Sequence, residues 1–315
     1  MRELEMVPQI TVISPCYGSP KALEELYQRT AATMAKMGVT FEMILVDDRC
    51  PMDSWSVIRK LAEEHANVVA IRLSRNFGQH PAIYAGLAAA RGEWIVVMDC
   101  DLQDQPEEIE PMYRHALTGF DAVRAKRSQR QDNLFRRFLS DRFYAVLTFL
   151  TGVKHSAEIA NFGVYHRKVI DGILSWSEDH RYFPAAVQWI GFNVSDINVV
   201  HANRKYGKSA YNFSRLLRLA LSIIVSFSDK PLRMMVQAGV VVAILSFVIS
   251  VVYLGVALAG GFEVPGWASI MISLWFMFGC MVFAVGFVGI YVGQVMREAK
   301  GRPNYIVDAV LRKKD

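Results

Sequence analysis

The chain reads as an α/β domain followed by an amphipathic interfacial helix and a two-helix transmembrane hairpin. Three observations predict this. Residues 10–125 alternate short Val- and Ile-rich runs with longer amphipathic stretches, Phe213–Phe227 sets Arg215 and Arg218 among apolar residues at helical spacing, and Met234–Ala259 and Ser269–Val292 carry no charge. The alternation is that of a parallel sheet covered by helices, because strands buried on both faces read as continuous apolar runs. Each uncharged run exceeds the roughly 20 residues that cross a hydrocarbon layer about 30 Å thick.

Taken in order, the predicted strands are Ile10–Ser14, Met43–Val46, Val68–Leu73, Trp94–Met98 and Ala122–Ala125, with helices near Lys21–Met37, Ser54–His65, Pro81–Ala90 and Pro106–Thr118. Beyond residue 126 the pattern loosens into a basic loop leading to a helix over Arg127–Leu150, a strand over Phe162–Tyr165, a short helix over Arg167–Trp176 and a last strand over Asn193–Val200. The basic, glycine-containing His201–Tyr211 then precedes the interfacial helix, as expected where a chain meets a membrane surface. The turn Gly260–Ala268 separates the two spans; its Gly and Pro break helix, and Trp267 suits an interface. The expected division is therefore a cytoplasmic domain over 1–211, juxtamembrane helices over 212–232, a hairpin over 233–293 and a cytoplasmic tail over 294–315.

Charge sets the expected orientation. Lys230 and Arg233 precede the first span, Arg297, Lys300, Arg302, Arg312, Lys313 and Lys314 follow the second, and the intervening turn has no basic residue. By the positive-inside rule both ends face the cytoplasm, and no apolar leader after Met1 predicts export. The net charge of +5 and pI near 9.0 are explained by these flanks and by anionic headgroups, which removes the reason to invoke nucleic acid. Cys16, Cys50, Cys100 and Cys280 lie far apart without C-x-x-C spacing, arguing against a disulfide framework or zinc site.

In parallel α/β sheets ligands bind at the carboxyl ends of the strands. There the sequence places Pro15 and Tyr17, then Asp47 and Asp48, then Asp99-Cys100-Asp101-Leu102-Gln103-Asp104. Two carboxylates one residue apart present oxygens to a hard cation, Mg²⁺ or Mn²⁺, which neutralises a diphosphate leaving group. The alternative is an acidic turn that caps the helix at Pro106. Acids and a flat ring on three strand ends suit a nucleotide, and no glycine-rich dinucleotide or P-loop motif is present to hold phosphates instead.

The stretches Ile13–Tyr17, Ile44–Asp48, Arg75–His80, Met98–Gln103, Arg127–Ser140, Arg204–Tyr211 and Asp229–Arg233 resemble, in order, the polyprenyl-phosphate glycosyltransferases of glycosyltransferase family 2, bacterial members with two C-terminal membrane helices. The resemblance implies a GT-A fold, a nucleotide-sugar donor with UDP-sugars favoured, and inverting transfer of one sugar to undecaprenyl phosphate at the inner membrane. It implies Asp99, Asp101 and Gln103 around metal and diphosphate, and Pro15, Tyr17, Asp47 and Asp48 at the donor. Arg127, Arg130, Arg136 or Arg137, Arg204 and Ser209 would meet acceptor and donor phosphates, since guanidinium binds phosphate bidentately. Self-association, as a tetramer, is also expected, with Gly279, Gly286, Gly289 and Gly293 offering close helix contact.

The chain departs from the family at three places. Pro15-Cys16-Tyr17-Gly18-Ser19 replaces P-x-Y-N-E, Ser209-Ala210-Tyr211 replaces S-K-Y, and Asn161 stands where many relatives have an Asp proposed as base. A phosphate monoester, with its second pKa near 6, is already a nucleophile at neutral pH, so Asn161 need only orient acceptor or sugar. Glu158, Glu178 and Asp179 are substitutes if a base is required, and His80 has two readings, a donor contact or a helix-entry group. The competing functions are a catalytically silent nucleotide-sugar-binding membrane partner and a polysaccharide synthase, the latter disfavoured by the lack of Q-x-x-R-W at Gln188-Trp189.

Overall fold

The computed structural model describes residues 7–127, 142, 148–150, 159–176, 182–200, 228, 230–259 and 266–313. The chain divides into two units, one comprising Met1–Phe149, Val153–Leu217 and Pro303–Asp315, the other Leu150–Gly152 and Arg218–Arg302.

The first unit is built on one eight-stranded sheet: β1 Ile10–Cys16, β2 Phe41–Asp47, β3 Val68–Leu73, β4 Trp94–Val97, β5 Ala122–Arg127, β6 Ile159–His166, β7 Val194–Val199 and β8 Val307–Arg312. Their spatial order is β7-β5-β6-β4-β1-β2-β3-β8. The apolar runs decide the centre. β1 and β4 are buried along their whole length, and the period-2 alternation of side chains feeds two cores. On one face Ile10, Val12, Met43, Leu45, Val68 and Ala70 pack with Leu23, Leu26 and Met34 of α1 (Leu23–Met37), Ile58 and Leu61 of α2 (Ser54–Glu64), and Ile109 and Met112 of α4 (Ile109–Ala116). On the other, Ile13, Ile44, Val46, Ile71, Ile95 and Val97 pack with α3 (Gln79–Ala89), α5 (Arg167–Leu174) and α6 (Phe183–Trp189). Gly92 permits the turn into β4 to press against β1; a Cβ there would lie 2.6 Å from the Thr11 nitrogen.

The predicted strands and helices of residues 10–125 are all present, with β1 longer by two residues at its carboxyl end and β2 by two at its amino end and one at its carboxyl end. The sheet is mixed, however, where the sequence pattern predicts a parallel one. β4, β1, β2 and β3 are parallel neighbours, but β6 inserts antiparallel between β4 and β5. The helix α6 goes unmarked by sequence periodicity, because at seven residues it is shorter than two turns. The predicted helix within Arg127–Leu150 and the interfacial helix of Phe213–Phe227 lie outside the described residues, apart from Arg127, Arg142 and 148–150.

The span expected as a C-terminal tail contains a further strand. Val307–Arg312 is a strand, antiparallel to β3, and covers what would otherwise be a sheet edge. It is pinned at both ends. Arg49 donates from Nη2 to Asp308 at 3.1 Å, and Arg312 donates to the buried carboxylate of Glu42 at 3.2 Å, which also accepts from Thr11 and from the Arg91 backbone and guanidinium. Alternation in Val307, Ala309 and Leu311 is too short to signal a strand beside the flanking charges.

The second unit contains α7 (Lys230–Leu258) and α8 (Trp267–Ala299), both long and apolar enough to cross a membrane. Trp267 begins α8 and does not lie in the turn as predicted. The apolar stretches are solvent-exposed rather than packed, with Trp275 71% and Phe276 73% exposed, which marks this unit for a lipid environment. Within this unit the Tyr291 hydroxyl donates to the Ser228 carbonyl at 3.0 Å, and the Ser228 hydroxyl accepts from the Lys230 amide that starts α7.

Candidate active site

Parallel pairing aligns the carboxyl ends of the central strands. Cys16 is in register with Asp47, and Ile13 with both Ile44 and Val97, so the loops after β1, β2 and β4 emerge side by side. Two of these loops contain non-glycine residues with left-handed backbone, Arg49 and Asp53 after β2 and Leu102 after β4. Such conformations are held only where surrounding contacts enforce them.

After β1, Pro15 is buried within the strand whereas Tyr17 is 52% exposed, so of this pair only the ring has a face open to a ligand. Burial pushes the Cys16 thiol well above its ordinary pKa, with the neighbouring Cys100 adding to the effect. It is a packing group, not a nucleophile.

After β2, Asp47 accepts from the Cys50 amide at 3.0 Å, and its other oxygen lies 3.4 Å from Arg72 Nε, close enough for attraction without hydrogen-bond geometry. Burial raises its carboxyl pKa against the pull of that amide, Arg72 and Arg49. Asp48, 2% exposed, accepts from two consecutive backbone amides, Phe77 at 2.7 Å and Gly78 at 2.9 Å. Desolvation raises its pKa too, outweighing the two amides. Both carboxylates are thus engaged by protein donors, and Asp48 in particular anchors the loop between β3 and α3.

After β4, Asp99 receives a hydrogen bond of 2.6 Å from the side-chain amide of Gln79, the first residue of α3. Asp101, 7% exposed, accepts from the Gln103 backbone at 3.1 Å across the left-handed Leu102. The buried Asp104 accepts at 3.4 Å from the Asp99 backbone and so closes the loop on itself. The alternative reading makes this acidic run a cap for the helix at Pro106. The turn at Pro106 is preceded by Gln105, which makes no side-chain capping bond.

Asn161 is brought to the same edge. Antiparallel pairing runs from Trp94 with His166 to Val97 with Gly163, and Asn161 lies on the same strand two residues before Gly163, towards the end of the sheet where β4 stops. Arg127 ends β5 in register with Val199 of β7. Arg130, Arg136, Arg137, Arg204 and Ser209, with Glu158, Glu178 and Asp179, lie outside the described residues. His80 is the second residue of α3; its ring meets Tyr182 edge-on at 5.0 Å, its Nδ1 is buried without a partner, and burial lowers its pKa to about 4. A neutral imidazole packed on an aromatic ring is the helix-entry reading.

Sequence reasoning passed over Gln79, quoted only as part of Arg75–His80. The signal was its place, a polar side chain at a helix start just past a strand's carboxyl end.

The residues fit a divalent cation of the kind completed by substrate. Among the described residues no three His, Cys, Asp or Glu side chains are grouped to cage a metal. A pair of carboxylates with positions left to water and phosphate is what Mg²⁺ and similar ions use at diphosphates.

Comparison with known proteins places the chain in a family. The family described as Glycosyl transferase family 2 matches residues 11–174, the span from β1 to α5. The undecaprenyl-phosphate 4-deoxy-4-formamido-L-arabinose transferase of Enterobacter sp. (strain 638) is 33% identical over 317 residues, covering 99% of this chain and 96% of that protein. The protein of the same name from Proteus mirabilis is 31% identical over 314 residues, covering 99% and 96%. Among solved structures, glucosyl-3-phosphoglycerate synthase from Mycobacterium tuberculosis, in complex with Mn²⁺, UDP-glucose and phosphoglyceric acid, superposes with a TM-score of 0.44 at 16% identity, covering 70% of this chain and 78% of that one. From β1 to α5 and along nearly its whole length, the chain belongs to glycosyl transferase family 2.

Proposed function

We propose that the chain moves a single sugar from a nucleoside-diphosphate sugar, UDP-sugars favoured, to undecaprenyl phosphate at the cytoplasmic membrane face, with inversion at the anomeric carbon. The observation that carries the reading is the Asp99 and Asp101 pair at the carboxyl end of the buried β4, in a chain related end to end to undecaprenyl-phosphate sugar transferases. The exposed ring of Tyr17 and the engaged Asp47 would border the nucleoside, with Pro15 and Asp48 shaping their loops.

In this reading a phosphate oxygen of the lipid attacks the anomeric carbon from the face opposite the diphosphate, the glycosidic C–O bond breaks, and the electron pair leaves with the nucleoside diphosphate. Dianionic phosphate has no proton to give up at that oxygen, so Asn161, on the strand beside β4, orients and does not abstract. Alignment and stabilisation of the leaving charge are the protein's main contributions. A divalent cation, Mg²⁺ or Mn²⁺, held by Asp99 and Asp101 with Gln103 alongside, would neutralise the departing diphosphate. Arg127, Arg130, Arg136, Arg137, Arg204 and Ser209 are proposed for the phosphates of acceptor and donor, and the two apolar helices for anchoring with both ends in the cytoplasm.

The test is lipid-sugar formation by full-length protein in nanodiscs with undecaprenyl phosphate, Mn²⁺ and a panel of labelled nucleotide sugars. Transfer from one donor, lost in Asp99→Ala and Asp101→Ala, supports the reading. Full activity in either variant refutes the metal assignment. Binding without transfer for every donor favours a catalytically silent partner, the reading suggested by Ser19, Ala210 and Asn161.

A further inference from the structure

The loop between β3 and α3 joins two strand ends that are not neighbours in the sheet, and it does so through three consecutive residues. Asp48, after β2, holds the amides of Phe77 and Gly78; Gly78 turns the chain with φ 102°, a conformation open to glycine; and Gln79 then reaches Asp99, after β4, at 2.6 Å. Behind this turn α3 is seated rigidly, with Ala82, Ile83 and Leu87 fully buried against the sheet.

We infer that Gln79 is a positioning residue for the cation site, and that Asp48 serves it by fixing the turn from which Gln79 projects. The inference rests on the metal and diphosphate role proposed for Asp99. Its physical basis is that a cation held by one or two protein carboxylates depends on how those carboxylates are turned, and partners that orient such ligands typically contribute about 10–100-fold in metal affinity. A neutral amide suits the task. It donates to Asp99 without bringing the positive charge by which Lys or Arg would compete with the cation. The short bond also removes rotamer freedom from Asp99 before any ligand arrives, so less order has to be imposed on binding.

The experiment measures UDP affinity calorimetrically for the full-length protein in nanodiscs, with Mn²⁺ and with EDTA. The variants are Gln79→Met, which keeps length and loses the donor, Gln79→Glu, which replaces the donor by a carboxylate, and Asp99→Ala. Expected are a Mn²⁺-dependent gain in UDP affinity for the parent, its loss in Asp99→Ala, a reduction of about 10–100-fold in both Gln79 variants, and unchanged affinity in EDTA. A Gln79→Met protein with the parent's full Mn²⁺ gain, while Asp99→Ala has none, overturns the inference and leaves the proposed function standing. Equal weakening with Mn²⁺ and with EDTA also overturns it, by making Gln79 a direct nucleotide contact. If Asp99→Ala keeps the gain, or the parent shows none, the metal reading falls and this inference with it. Loss of the cooperative thermal transition in both Gln79 variants assigns the residue to folding and likewise refutes it.

Discussion

Replacing Asp48 by Ala strips two consecutive amides of their acceptor. Leaving a buried donor unsatisfied costs about 1–3 kcal/mol, and because Phe77 and Gly78 are half-buried the lower end applies, giving roughly 2–3 kcal/mol for the pair. At about 1.4 kcal/mol per factor of ten, the turn before α3 should open roughly 30- to 140-fold more often. The assay is hydrogen exchange in a peptide spanning the loop, where the Phe77 and Gly78 amides should lose protection by that factor while β1 and β4 keep theirs. Asp48→Asn retains one acceptor oxygen and should show about half the free-energy effect. Unchanged exchange at Phe77 and Gly78 in Asp48→Ala would refute the anchoring role. The sign of the pH effect is specific. Burial raises the carboxyl pKa of folded Asp48, so in the window between its ordinary and raised values the folded state holds more protons than the unfolded one. Stability from this group therefore increases on acidification through that window and is lost as pH rises through it.

Further expectations concern the periphery of the site and the sheet edge. His80→Phe should flatten the acid side of the stability profile measured by thermal shift. The folded imidazole titrates near 4 and the unfolded one near 6.5, so the parent loses stability as pH falls between them and the variant does not. Asp53→Gly, at φ 56°, should stabilise by about 0.5–1 kcal/mol through relief of left-handed strain, read as a small rise in the urea midpoint. Deleting Val307–Asp315 removes the ladder on β3 and the Arg312 and Asp308 ion pairs. With a backbone hydrogen bond worth about 1 kcal/mol net, roughly 3–5 kcal/mol should be lost and aggregation through the β3 edge should rise, measured by unfolding and light scattering.

Local chemistry accounts for what was legible in the amino-acid order. Apolar runs of strand length, amphipathic stretches of helix length and two uncharged spans are each decided by water or lipid acting on neighbours in sequence, so β1 to β4, α1 to α4 and the two long helices could be predicted. The same logic placed Asp99 and Asp101 at a strand end, because a buried strand must stop where charge begins. Pairing between distant segments carries no local period. That β6, carrying Asn161, runs antiparallel between β4 and β5 and that β8 closes the β3 edge were decided only when the sheet assembled. Partner choice for the acids was likewise tertiary. Asp48 and Asp99 look equally poised for a ligand in sequence, but the turn at Gly78 gives the first two backbone amides and the second the amide of Gln79, since a carboxylate withdrawn from water takes whichever donors the fold brings within reach.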